Sequence, residues 1–208
     1  MDDTFNVSLD KIKSFMDDTL EKHGTTSLGV GWRSRENQFL RFDQFSYLFK
    51  DCSEPFSIND LGCGLAGFFE WTKERGLPVS HYIGYDISEH MIARAQALHS
   101  TKNARFVRAE KPTDMADFSV CCGIFNTRLN ESDEVWTRYM REVVYALAKT
   151  SRRGLAFNSL SSYVDWRESH LFYADPAEWF TWCKTNISKK VTLLHDSPLY
   201  EWTMVIRL

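Results

Sequence analysis

Asp60-Leu61-Gly62-Cys63-Gly64-Leu65-Ala66-Gly67 sets its glycines at the spacing G-x-G-x-x-G. Before it, Ser57-Ile58-Asn59-Asp60-Leu61 is a short strand, and after it a helix is predicted from about Ala66 to Arg75. Glycine permits the tight turn between them and lets a ligand approach the backbone where a side chain would stand. In isolation the spacing is a weak motif. Between a strand and a helix it points to a site for a nucleotide-type ligand rather than to a mere turn.

The flanking segments build a fold around this loop. Upstream, Leu9, Ile12, Phe15, Met16 and Leu20 recur at helical spacing within Ser8 to His23, and Gly24 is a natural stop. Gly29-Val30-Gly31-Trp32 is loop-like, and a second helix is predicted from about Glu36 to Lys50. Downstream, strands at His81–Asp86, Ala104–Val107, Phe118–Cys122 and Leu155–Asn158 alternate with helices from Ser88 to about Leu98 and from about Asp133 to Thr150. Such alternation predicts an α/β fold, a mostly parallel sheet with helices on both faces. The last third departs from it. A helix from Asp175 to about Thr185, with Pro176 at its start, precedes strands Val191–His195 and Tyr200–Arg207. The short turn-rich connector Asp196-Ser197-Pro198 makes that pair antiparallel.

Two acids narrow the ligand. Asp86 ends the second strand about 20 residues beyond the loop, where a carboxylate can accept both hydroxyls of a ribose. Asp60 stands directly before the glycines. A fixed carboxylate there is unfavourable beside a pyrophosphate and favourable beside a ligand carrying an ammonium and a sulfonium.

Asp60-Leu61-Gly62-Cys63-Gly64 resembles the first motif of the class I S-adenosylmethionine-dependent methyltransferases. Gly84-Tyr85-Asp86-Ile87-Ser88, with Met91 and Ala95 after it, resembles their second motif. Phe106-Val107-Arg108-Ala109-Glu110 resembles the third, although Ala109-Glu110 stands where Gly-Asp is usual. Cys122-Gly123-Ile124-Phe125-Asn126 resembles the end of the fourth strand, which faces the methyl group. The resemblance runs in order from about Ser57 to Leu208. It implies a Rossmann-like, doubly wound, seven-stranded sheet with a C-terminal antiparallel hairpin and N-terminal helices. It also implies S-adenosylmethionine as cofactor and S-adenosylhomocysteine as product. By the same resemblance, Gly62, Cys63 and Gly64 pass under the amino acid moiety and Asp60 lies near its ammonium. Asp86 takes the ribose, Ile87 flanks the adenine, Glu110 accepts from the adenine amino group, Gly123 and Phe125 approach the sulfonium, and Met91 and Ala109 complete the implied cofactor-binding set.

Gly31-Trp32-Arg33-Ser34-Arg35, with Gln38 and Arg41, forms a second cluster before the first strand. The cofactor carboxylate needs a cation, and an arginine fork suits it. Arg41 is the first choice, with Arg33 and Arg35 behind it, and Trp32 is placed to cover the site; a solvated helix face and a core aromatic are the bland alternatives. Asn126 is the acceptor-side candidate, because an amide at this sheet edge can orient an amine or hydroxyl. Tyr163, Trp166, Phe172, Tyr173, Trp179 and Phe180 either wall an acceptor pocket or form core under an insertion.

The chain has 208 residues, 43% hydrophobic and 25% charged, with a net charge of -3. It is read as one domain, 1–208, with 1–55 a helical lid segment and 56–208 the cofactor-binding core. The charge and the lack of a dense Lys/Arg run disfavour nucleic acid as partner, and the modest length, which leaves no separate substrate-recognition domain, favours a small-molecule acceptor. Cys52, Cys63, Cys121, Cys122 and Cys183 show neither a disulfide framework nor zinc-ligand spacing, so no metal is expected. The acidic start Met1-Asp2-Asp3 lacks a signal core and no apolar run spans a membrane, making the cytoplasm the default; oligomeric state is not readable. The competing functions are a non-catalytic binding protein of the same fold and a nicotinamide-dependent oxidoreductase.

Overall fold

The computed structural model describes Val7 and residues 9–208, so Ser8 and the acidic Met1-Asp2-Asp3 start lie outside the described residues. The strands are β1 (Phe56–Leu61), β2 (Val79–Asp86), β3 (Ala104–Arg108), β4 (Ala116–Cys121), β5 (Ser151–Leu160), β6 (Lys190–Leu194) and β7 (Glu201–Arg207). They form one seven-stranded sheet in the order β3-β2-β1-β4-β5-β7-β6. β1 to β5 pair in parallel, and β7 lies antiparallel between β5 and β6. This is the Rossmann-like sheet with its antiparallel hairpin.

The helices are α1 (Leu9–His23), α2 (Arg35–Phe49), α3 (Gly67–Glu74), α4 (Glu89–Leu98), α5 (Asp133–Lys149) and α6 (Pro176–Asn186). Their starts follow from caps. Ser34, Ser88, Ser132 and Asp175 each turn a side-chain oxygen onto a backbone N–H of the first turn. Period-two alternation on the strands then feeds two separate cores. Phe118, Val120, Ala156 and Val205 pack with Phe45 and Phe49 of α2 and Phe68 and Trp71 of α3 on one face. Cys121, Phe157, Trp202 and Met204 pack with Trp136 and Met140 of α5 and Trp179 of α6 on the other.

β5 is longer than the four residues its sequence pattern marked. It runs through Gly154, where a Cβ would come within 2.5 Å of the Ile206 carbonyl and 2.9 Å of Leu48. The glycine that breaks the apolar pattern is the point where α2 and β7 close on the strand. The helix expected from Ala66 begins at Gly67, because Ala66 itself is left-handed, at φ 62°. Among the described residues, no helix is long and apolar enough to cross a membrane.

Candidate active site

β1, β2 and β4 run parallel, so their C-terminal ends meet at one edge of the sheet. A cavity of about 140 Å³ opens there. Its floor is the glycine loop. Gly62 and Gly64 hold positive φ, 74° and 51°, and Gly62 and Cys63 both donate their N–H to the Tyr85 carbonyl, at 2.8 and 3.0 Å. The loop is thereby pinned to β2. It is also roofed closely: a Cβ on Gly62 would stand 2.1 Å from Ile124, and one on Gly64 would stand 3.1 Å from Val30.

Asp60 and Asp86 both line this cavity. Asp60 is 3% exposed and accepts the Tyr82 hydroxyl. Burial is the main cause that pushes its carboxyl up to about 7; the Tyr82 hydrogen bond lowers it and the neighbouring Asp86 raises it again. Asp86 accepts the N–H of Gly64 at 3.0 Å and of Ser88 at 2.9 Å. Its carboxyl is also raised, by burial first, with those two amides pulling it down and Asp17 pushing it up. Ile87, Met91, Ala109 and Glu110 line the cavity with Asp86, and Gly123, Ile124, Thr127, Trp136 and Tyr139 complete its wall. Among the described residues, no Lys, Arg or His lines it.

The roof comes from the N-terminal helices. Leu9, Ile12 and Met16 of α1, Val30 and Trp32 of the connecting segment, and Gln38 and Phe42 of α2 face the cavity. Ser88 tethers α1 to the site: its hydroxyl caps α4 through the Met91 N–H at 3.0 Å and donates to Asp17.

A methyltransferase domain model matches residues 58–150, the span from β1 to the end of α5. The chain is 41% identical over 160 residues to "Putative methyltransferase Rv1506c" of Mycobacterium tuberculosis, covering 76% of this chain and 96% of that protein. The chain belongs to the class I S-adenosylmethionine-dependent methyltransferases. Among solved structures the methyltransferase resembles magnesium protoporphyrin IX methyltransferase from Synechocystis PCC 6803 with bound S-adenosylhomocysteine. The TM-score is 0.67 at 14% identity, over 95% of this chain and 96% of that one. The plantazolicin methyltransferase BpumL has the same fold, with a TM-score of 0.59 at 16% identity over 96% and 91% of the two chains.

The methyltransferase brings most of its sequence-nominated residues to one cavity: Trp32, Asp60, Gly62, Cys63, Gly64 and Asp86, and with them Ile87, Met91, Ala109, Glu110 and Gly123. Three lie elsewhere. Arg41 does not line the cavity; its Nε and Nη2 grip Glu201 at 2.6 to 3.0 Å, and its Nη1 donates to the Asn37 carbonyl and Oδ1. Four of its five N–H donors are engaged, and withdrawing it would leave Glu201 buried without its cation. Phe125 is fully buried among Tyr139 and Phe157, so the backbone of its segment, not its ring, borders the cavity. Asn126 turns inward too: its Oδ1 accepts the Leu160 N–H at 3.1 Å, and its Nδ2 faces Glu201 at 3.5 Å. An amide so engaged braces β5.

The late aromatic segment splits between core and surface. Phe172 and Trp179 are core, at 5% exposed each, while Tyr163 and Trp166 stand on the surface; none lines the cavity. The roof residues of α1 went unnominated although their i, i+3, i+7 spacing was visible. The signal was that this stripe ends in a helix with little else to bury against. Trp136, Tyr139 and Thr127 carried no local signal at all.

Proposed function

We propose that this methyltransferase acts on a small-molecule acceptor carrying a nitrogen or oxygen nucleophile. The observation that carries the reading is a cavity with Asp60, Asp86 and Glu110 in its wall and no cationic side chain among the described residues. Such a cavity repels phosphates, whether of a dinucleotide cofactor or of a nucleic acid acceptor, and accommodates a cationic ligand. The free cysteines fit a reducing compartment such as the cytoplasm. Both cores share one sheet, which supports one domain over 1–208, in which α1 and the segment to Trp32 cover the cavity while α2 packs into the core.

The residues present fit S-adenosylmethionine. Gly62 and Gly64 present bare backbone to the cavity at positive φ, with Ile124 and Val30 packed where a Cβ would stand. Asp60 offers a buried carboxylate that lacks a cation, and Asp86 offers a carboxylate at the sheet edge for a ribose diol. Ile87 and Met91 supply an apolar wall for a purine, with Ala109 and Glu110 at its edge. When bound, the cofactor supplies a methyl group on an electrophilic sulfonium. The protein's work is then to bind, align and exclude water. Gly123, Ile124 and Trp32 shape the end of the cavity nearest the glycine loop. Trp136 donates its indole N–H to the Phe125 carbonyl at 2.8 Å and so holds the loop that carries Gly123. Alignment and dehydration of this kind supply most of the acceleration in a transfer between bound partners.

Calorimetric titration tests the cofactor half, with S-adenosylhomocysteine expected to saturate one site and reduced nicotinamide dinucleotide expected not to bind. An acceptor screen that detects release of S-adenosylhomocysteine tests the other half. Binding of the nicotinamide ligand, or turnover confined to nucleic acid acceptors, would overturn the reading.

A further inference from the structure

Arg41 and Glu201 are a buried ion pair, 10% and 5% exposed, lying outside the cavity. A buried pair is weak evidence for stability, since its desolvation cost rivals its attraction. What it touches is more informative. The Arg41 guanidinium lies 4.2 Å from the centre of the Trp32 ring. That ring presses on Gly123 so closely that a Cβ there would come within 2.5 Å of it. At Oε2, which it shares with the Arg41 Nε, Glu201 accepts the Asn158 Nδ2 at 2.6 Å, and the Asn158 Oδ1 accepts the Gly123 N–H at 2.9 Å. The contacts therefore form a closed circuit, Gly123 to Asn158 to Glu201 to Arg41 to Trp32 and back to Gly123. Two of its members, Trp32 and Gly123, line the cavity.

We propose that Glu201 and Arg41 are positioning residues, which set the Trp32 ring against Gly123 and so fix the shape of the cavity at its glycine-loop end. This rests on the cofactor reading above. The circuit ties three separate parts of the fold to one spot: α2 through Arg41, β7 through Glu201 and the end of β5 through Asn158. Neither charged residue needs to meet ligand. Their effect is carried by the stack on Trp32 and by the amide on Gly123. Gly123 stands at a position suited to glycine, because its φ of 82° disfavours a Cβ and the Trp32 ring occupies the place where one would stand. The adenine end, near Ile87 and Met91, lies outside the circuit, so the consequence is selective. Loss of the pair should loosen the grip on the amino acid and thioether end and spare the adenosine end.

The test titrates S-adenosylhomocysteine and adenosine separately into wild type, Glu201→Gln, the double variant Arg41→Met/Glu201→Gln, Trp32→Phe, and the double variant combined with Trp32→Phe. The double variant removes both charges together, so it keeps the test open if Glu201→Gln alone does not fold. S-adenosylhomocysteine should weaken about tenfold in the pair variants, a coupling typical of touching residues, while adenosine changes by less than about twofold. Adding Trp32→Phe should cost little more, because the pair acts through that ring. A second readout needs no ligand. The Trp32 emission, taken as the difference between each protein and its Trp32→Phe counterpart, should shift to the red in the double variant as the ring meets water. Equal losses for both ligands, full additivity with Trp32→Phe, or an unmoved Trp32 emission would each overturn the proposal. Wild type that binds neither ligand would remove the cofactor reading itself, a result separate from any difference between variants.

Discussion

Asp60 gives the most demanding prediction. Its carboxyl is raised from the ordinary 3.8 to about 7, chiefly because it is buried. If the ligand that enters carries a cation, binding selects the ionised carboxylate. In the free protein that form falls from about nine-tenths near pH 8 to about one-tenth near pH 6. Affinity for S-adenosylhomocysteine should therefore drop about tenfold over that interval. Proton release should be close to one per site near pH 6, about half near pH 7 and about a tenth near pH 8. Calorimetry in buffers of different ionisation enthalpy counts those protons directly. The same shift acts on the fold, with the sign reversed from the usual acid. A carboxyl whose folded value lies above its unfolded one leaves stability intact below about pH 4, and that stability is lost as pH rises through about 7. The loss amounts to about 4 kcal/mol by pH 8, the gap of 3.8 to about 7 taken at its full weight. Asp60→Asn should thus raise the thermal midpoint more at pH 8 than at pH 5, retain the Tyr82 hydrogen bond, and lose both ligand affinity and its pH dependence. Affinity that is flat across this range, or a pH dependence that survives in Asp60→Asn, would refute the assignment.

Three further perturbations follow from the site. Asp86→Ala leaves the Gly64 and Ser88 amides without their acceptor and removes the partner for a ribose; titration should show affinity down by about 1–3 kcal/mol per lost bond. Gly62→Val should abolish binding while circular dichroism stays near wild type, because the added side chain meets Ile124 and the φ of 74° disfavours a β-branched residue. Normal affinity in that variant would reduce the loop to a turn. Ser88→Ala removes the cap of α4 and the tether of Asp17 together. It should cost about 1 kcal/mol, a fall of about 2–4 °C in midpoint, and speed hydrogen exchange in α1; exchange unchanged in α1 would mean the tether does not hold the roof.

The parts of this protein readable in the sequence are those whose chemistry is local. A glycine loop between strand and helix, an acid ending the next strand, and the Ser88 cap before α4 all act within a few residues of themselves, so spacing alone exposes them. Arg41 shows the opposite case. Its charge and its place before β1 marked it as a ligand for a carboxylate, and a carboxylate did claim it, but one supplied by Glu201, 160 residues away. Nothing near either residue announces the other. The partners of Asn126 are likewise remote in sequence, on β5 and β7. The cavity roof was half legible: α1 displays an apolar stripe, yet only the packed fold reveals that the stripe covers a cavity and not a core.

The direction of β7 has a geometric consequence of its own. A strand laid parallel to β5 delivers its first residue to the edge where the parallel strands begin, and its last to the edge where they end. β7 runs the other way, and its first residue, Glu201, pairs with Leu160 at the far end of β5. Seven residues of extended chain span about 20 Å. A seventh strand of identical composition, threaded in the parallel sense, would strand its glutamate that distance from Arg41, on the wrong rim of the molecule. The reversal is therefore a delivery route: it lets the beginning of a strand serve a rim otherwise stocked only by strand endings. A redesign that kept every side chain and straightened the topology would keep the cores but leave the arginine under Trp32 with no carboxylate to meet.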